Sequence, residues 1–189
     1  GRPNYGATIL SEINEYSPLD ITIDSPVTCG TGREYDTILG HANGGITCIL
    51  DSEEVFFSES NDSSSTSALD SSSDCVLQVQ DSGKVTFFLE NREKWNHNMD
   101  EKIERGTIGF EYIDSRTIWL AYQDKNGSKI RVLSGNDATS LCLFSMSSRV
   151  RAISSNDRFV IVGLEDGNVY VIESEQFSRR INMPKEENN

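Results

Sequence analysis

Residues Phe159–Glu173 read FVIVGLEDGNVYVIE. Two runs rich in Val and Ile flank an Asp166-Gly167 pair, and that dipeptide accepts the positive φ of a tight hairpin turn. A lone hairpin cannot bury its apolar faces, so recurrence of the pattern implies several small sheets packed side by side. The pattern does recur. Upstream, bursts of Val, Ile, Phe and Thr bounded by Gly, Asn, Asp and Ser predict strands at Ile46–Leu50, Val55–Ser58, Val76–Val79 and Val85–Leu89. More follow at Thr107–Ile113, Thr117–Tyr122, Lys129–Leu133, Ser140–Phe144, Val150–Ser154 and Arg179–Met183. Ser82-Gly83 and Asn126-Gly127 supply further turns, and Gly30-Thr31-Gly32 reads as a short turn.

Two stretches break the rhythm. Asn61–Asp74, NDSSSTSALDSSSD, has too little apolar content to fold and reads as a disordered insertion between paired strands. Glu90–Arg105 is polar, with Trp95 as its only large apolar side chain, and reads as a long loop or short surface helix. Pro184–Asn189 reads as a disordered tail.

The 189 residues carry 17 basic and 30 acidic side chains, a formal charge of −13. Such a surface repels phosphate backbones and anionic lipid, which argues against direct nucleic-acid or membrane binding and favours a basic partner. No run approaches the roughly 20 apolar residues of a membrane helix. The start, GRPNYGATIL, lacks the basic stretch and apolar core of a signal peptide. Cys29, Cys48, Cys75 and Cys142 are too sparse for a disulfide framework and contain no C-x-x-C pair, so an intracellular, reduced location (cytoplasm or nucleus) is expected.

Aligned on their turns, the strand groups repeat. One copy opens at Gly40-His41, continues through Ile46–Leu50, and carries Ser58, Ser60 and Asp62 before Val76–Val79 and Asp81-Ser82-Gly83. This resembles a WD40 repeat, with Val79-Gln80 standing where the Trp-Asp pair would be. A second copy spans Thr107–Phe144, and a third Val150–Met183, with Ile172-Glu173 at the Trp-Asp place. From Asp62 to Asp124 to Asp166 the steps are 62 and 42 residues, the second matching a blade of ~40–45.

The resemblance implies an all-β, WD40-like β-propeller of about three complete blades plus a partial one. Its units are 1–41, a partial blade; 42–106, a blade with the insertion 61–74 and the loop 90–105; 107–148; 149–183; and the tail 184–189. Propellers close with about four to eight blades, so the remaining blades come from the same or another chain. A small closed ring and a two-sheet sandwich are alternative packings. The resemblance further implies a blade network of His41, Ser58 and Asp62, with Asp124 and Asp166 holding later turns. It also implies a non-catalytic scaffold that presents loops to other proteins.

Candidate chemistry is sparse. There is no G-x-S-x-G, phosphate loop or dinucleotide fingerprint, and no carboxylate pair stands out, so no catalytic residue, cofactor or metal site is expected. A zinc set of Cys29, His41, Cys48 and His97 fits none of the usual ligand spacings. Ser67 and Ser71 each precede an Asp by three residues, a pattern acidophilic kinases favour. Arg149, Arg151, Arg179 and Arg180 are the basic groups that could line a pocket for an acidic or phosphorylated peptide, or could neutralise neighbouring carboxylates. Trp119 and Tyr122, at i and i+3, lie on opposite strand faces, one expected inward and the other outward as a partner contact. Besides the scaffold, two readings stand: a substrate-recognition subunit of the ubiquitin-ligase receptor type, which requires the arginines to converge, and a propeller-fold hydrolase.

Overall fold

The structure is a computed structural model that describes residues 5–9, 19–23, 25–32, 36–50, 53–58 and 64–182. β1 (Tyr5–Ile9) and β2 (Leu19–Ile23) pair as an antiparallel two-stranded ladder. The first meander sheet is β3 (Val27–Gly32), β4 (Asp36–His41), β5 (Ile46–Leu50) and β6 (Glu53–Ser58). The second is β7 (Thr66–Ser72), β8 (Cys75–Gln80), β9 (Lys84–Leu89) and β10 (Arg92–Asn98). The third is β11 (Ile103–Glu111), β12 (Arg116–Asp124), β13 (Gly127–Ser134) and β14 (Ser140–Ser145). In the fourth, β15 (Val150–Ser155), β16 (Phe159–Leu164) and β17 (Val169–Glu173) lead into helix α1 (Ser174–Asn182). The sheets are antiparallel throughout, and β3, β7, β11 and β15 follow one another as the innermost strands. This is an all-β, partial propeller.

Because side chains alternate with period two, each central sheet has two buried faces. Ile38, Ile46 and Cys48 of the first sheet meet Val76 and Phe88 of the second. The other face of the second sheet, Leu77, Val79, Val85 and Phe87, meets Ile108, Ile118, Leu120 and Leu133 of the third. Trp119, Ala121, Ile130 and Val132 of the third meet Val150, Val160 and Val162 of the fourth. The pairs Leu77↔Phe87 and Trp119↔Val132 are thus covered by the next sheet. Their counterpart in the fourth sheet is Ile161↔Val171, and there both side chains are exposed. Two glycines permit close approach. A Cβ at Gly109 would lie 2.4 Å from Trp119 Nε1, and one at Gly40 would lie 2.6 Å from Thr66 Cγ2.

Several expectations need correction. Of the Asn61–Asp74 tract, Thr66–Ser72 is a regular strand, not a disordered insertion. As an innermost strand it makes polar contacts with its neighbours, so it needs no apolar alternation. Glu90–Arg105 contains β10, neither loop nor helix. It is an outer edge strand, exposed on both faces apart from Trp95, which stacks on Phe87 at 5.6 Å. Gly30–Gly32 belongs to β3. The segment Arg179–Met183, expected as a strand, begins within α1, whose Phe177 and Ile181 recur at helical spacing and pack on the third sheet. The division expected between residues 41 and 42 falls inside the first sheet, because Gly40-His41 ends its second strand.

A different anchor restores the repeat. In each sheet one side chain at the turn between second and third strands accepts the backbone N–H two residues on: Asn43 from Gly45, Ser82 from Lys84, Asp124 from Asn126 and Asp166 from Asn168. Their spacings are 39, 42 and 42 residues.

Candidate protein interface

These self-capped turns share one face, here called upper, with the connectors between sheets. Between the third and fourth sheets the upper face opens into a cleft of about 540 Å³ lined by Glu104, Gln123, Asn126, Ser147, Arg149 and Glu165. The local backbone is tightly pinned. Met146 N–H donates to Ser128 C=O at 2.9 Å, Val150 N–H to Ser128 Oγ at 3.2 Å, and Glu165 N–H to Arg149 C=O at 2.8 Å. Ser147 Oγ reaches Asp166 Oδ2 at 3.4 Å.

Arg149 grips Glu104 with both arms of its fork, Nε donating to Oε2 at 3.1 Å and Nη2 to Oε1, and this tie bridges the two sheets. The bonded carboxylate raises the guanidinium pKa above its ordinary value. Arg151 pairs with Glu165. The other two expected arginines sit on α1, where Arg179 faces Glu175 at 3.8 Å and Arg180 lies 5.0 Å from the Phe144 ring centre. The four do not converge, and each is engaged inside the chain. Trp119 and Tyr122 are both buried, on opposite faces of β12 and in two different inter-sheet cores, so the expected outward aromatic is absent from this pair.

His41 is 2% exposed; its Nε2 lies 2.8 Å from Thr47 Oγ1, and its Nδ1 has no partner of hydrogen-bonding geometry. Burial lowers the ring pKa, partly offset by the Ser25 backbone. It stands at a strand end rather than in a sheet connector, and Thr47 takes the place expected for Ser58, which lies on β6 opposite Ile46. Asp62 lies outside the described residues. Ser67 Oγ donates to Val79 C=O at 3.3 Å, while Ser71 Oγ sits 3.0 Å from Thr31 Oγ1 and 3.2 Å from Gly32 C=O. Both serines are thus strand residues in β7.

Sequence reasoning missed two polar features. The first is the seam along the innermost strands. Asp70 Oδ2 accepts from Thr107 Oγ1 at 2.6 Å and from Ile108 N–H at 2.7 Å, and Thr107 Oγ1 lies 3.0 Å from Ser155 Oγ. One carboxylate therefore joins β7 to β11, and a hydroxyl carries the contact on to β15. The signal was the Ser/Thr/Asp content of 64–74, read there as disorder. The second is Arg116 on the opposite, lower face, which binds Asp157 Oδ1 at 2.6 Å beside a cleft of about 480 Å³. Burial would lower its pKa, but the Asp157 carboxylate outweighs that and raises it. No local signal in the sequence joins residues 116 and 157. Among the described residues, no three His, Cys, Asp or Glu side chains gather as metal ligands, and no helix is long and apolar enough to cross a membrane.

No family model and no curated protein matches the sequence. Solved structures do match the fold. The N-terminal domain of BBS1, crystallised in complex with ARL6, superposes with TM-score 0.62 at 12% identity, over 82% of this chain and 54% of that one. The Pan2 WD40 domain of Neurospora crassa gives 0.60 at 12%, over 81% and 48%. The computationally designed Ika4 protein gives 0.59 at 18%, over 80% and 92%. The chain therefore spans about half the length of the two natural domains and most of the designed one. At these identities the likeness is one of fold, and the fold is that of WD40-type β-propellers.

Proposed function

We propose that this chain is a protein-interaction scaffold, and that its upper face, centred on the cleft between the third and fourth sheets, receives a partner protein. The observation that carries the reading is the pinned geometry of that cleft. Its backbone is tied by hydrogen bonds from both sheets, while Gln123, Asn126 and Ser147 stand on its wall as exposed polar groups. Rigid sheets that fix loop ends, with the tips free to make contacts, are the usual division of labour in binding modules. The BBS1 domain, of the same fold, was crystallised with a protein partner. The location we propose is intracellular, with further blades of the ring supplied by the same or another chain. A reader of phosphorylated peptides is less well supported, since its arginines are engaged by carboxylates or an aromatic ring and do not converge.

The test is affinity capture from cells with quantitative identification of bound proteins. The variant Gln123→Ala/Asn126→Ala/Ser147→Ala should lose the proteins that wild type captures, with its unfolding midpoint unchanged. A lower-face variant, Asp74→Ala/Asn136→Ala, should retain them. Loss from the lower-face variant alone would overturn the assignment of the upper face.

A further inference from the structure

Among the described residues, β17 is the outermost strand of its sheet, whereas the three sheets before it each carry a fourth strand outside the third. Its ladder with β16 fixes which backbone groups face outward. Leu164 N–H donates to Asn168 C=O at 2.9 Å and Ser174 N–H to Arg158 C=O at 3.0 Å. Residues in step with these, Tyr170 and Ile172, turn their N–H and C=O to β16, and Val169, Val171 and Glu173 turn theirs to the open side. The side chains are open as well: Val169, Tyr170 and Val171 are 64%, 43% and 54% exposed. Among the described residues, β17 holds no proline, lysine or bulge of the kinds that commonly guard a sheet edge. Nor is it closed off by α1, which leaves at Ser174 and buries Phe177 among Phe110, Tyr112 and Trp119 of the third sheet.

Charge selects the occupant. Asp166 before the strand and Glu173 at its end form no ion pair among the described residues; their carboxylates meet only Ser147, Asn168 and Gln176. A second copy pairing antiparallel about Val171 would set Glu173 of each chain opposite Val169, at the end of the other strand that Asp166 precedes. On a chain of net charge −13, that sets like charges together at both ends.

We propose that the open edge of β17 accepts an extended segment of a partner protein, β-branched or aromatic at its centre and carrying Lys or Arg at both ends. Its backbone completes the fourth strand, and its basic ends meet Asp166 and Glu173. The site lies on the strand edge and adjoins the upper face only at Asp166, which Ser147 Oγ reaches.

The probe is the capped peptide KTVYVTK, with hydrogen exchange of the 189-residue chain read residue by residue. Saturating peptide should slow the Val169, Val171 and Glu173 amides about tenfold or more, leaving Tyr170 and Ile172 unchanged. Added salt should weaken the effect, and DTVYVTD should not produce it. Val171→Pro removes an outward N–H that has no partner within the sheet, so it should abolish the protection; if that variant does not fold, the two peptides on wild type remain decisive. Three results would overturn the proposal: no slowing by KTVYVTK, equal slowing by DTVYVTD, or amides already protected without peptide. In the last case sedimentation assigns the edge to a second copy if the chain is dimeric, and to the chain's own residues if it is monomeric.

Discussion

Trp119 fills the seam between the third and fourth sheets, with no exposure, its Nε1 donating to Thr117 Oγ1 at 2.8 Å and its ring stacked on Phe144 at 5.7 Å. Truncating so large a side chain in a packed core costs about 3–5 kcal/mol. Trp119→Ala should therefore lower stability by that amount in urea unfolding, and Trp119→Phe, which loses mainly the indole bond, by about 1–2 kcal/mol. His41 makes a pH prediction. Burial holds its folded pKa below the unfolded value of about 6.5, so the folded state favours the neutral ring. The stability it contributes is present above that unfolded value and is lost as pH falls through it towards the folded one. Unfolding free energy should thus decline on acidification through this range, and His41→Gln should flatten the slope. The sequence marked His41 as structural but misplaced it, because Gly-His adjacency says nothing about which strand it ends.

At the scale of the element, β7 and β10 explain what the sequence hid. Hydrophobic alternation reports burial of one sheet face, and neither strand has that burial: β7 is held by polar neighbours, β10 by one half-buried indole whose Nε1 donates to Gly135 C=O at 2.9 Å. The central strands β8, β9, β12 and β16, covered on at least one face, were readable to within a few residues. If the Asp70 seam holds β7 to β11, Asp70→Ala should strand Ile108 N–H and lower stability by about 2 kcal/mol, measured by denaturant unfolding. Phe177→Ala should act locally. With Phe177 as the one fully buried side chain among its described ones, α1 has fewer residues than the ~12–15 an isolated helix needs. Amides 174–182 should then exchange as if unfolded while those of β12 stay protected.

Taken whole, the four meander sheets form a row in which each touches its neighbours, and the far face of the fourth is open at Ile161, Val169 and Val171. Ile161→Lys should leave stability within about 0.5 kcal/mol, as befits an exposed site, while reducing binding of a hydrophobic dye; a larger loss would mean that the face is covered. The candidate interface was the least readable level. Arg149 and Glu104 lie 45 residues apart and meet only because consecutive sheets place their connectors together. The side chains that cap the turns, Asn43, Ser82, Asp124 and Asp166, have a consequence for how such a surface changes over time. Each bend is capped by its own side chain, so exposed tip residues such as Lys125 can be rewritten while strand alignment survives. What the chain touches and what keeps it standing are thereby free to vary separately.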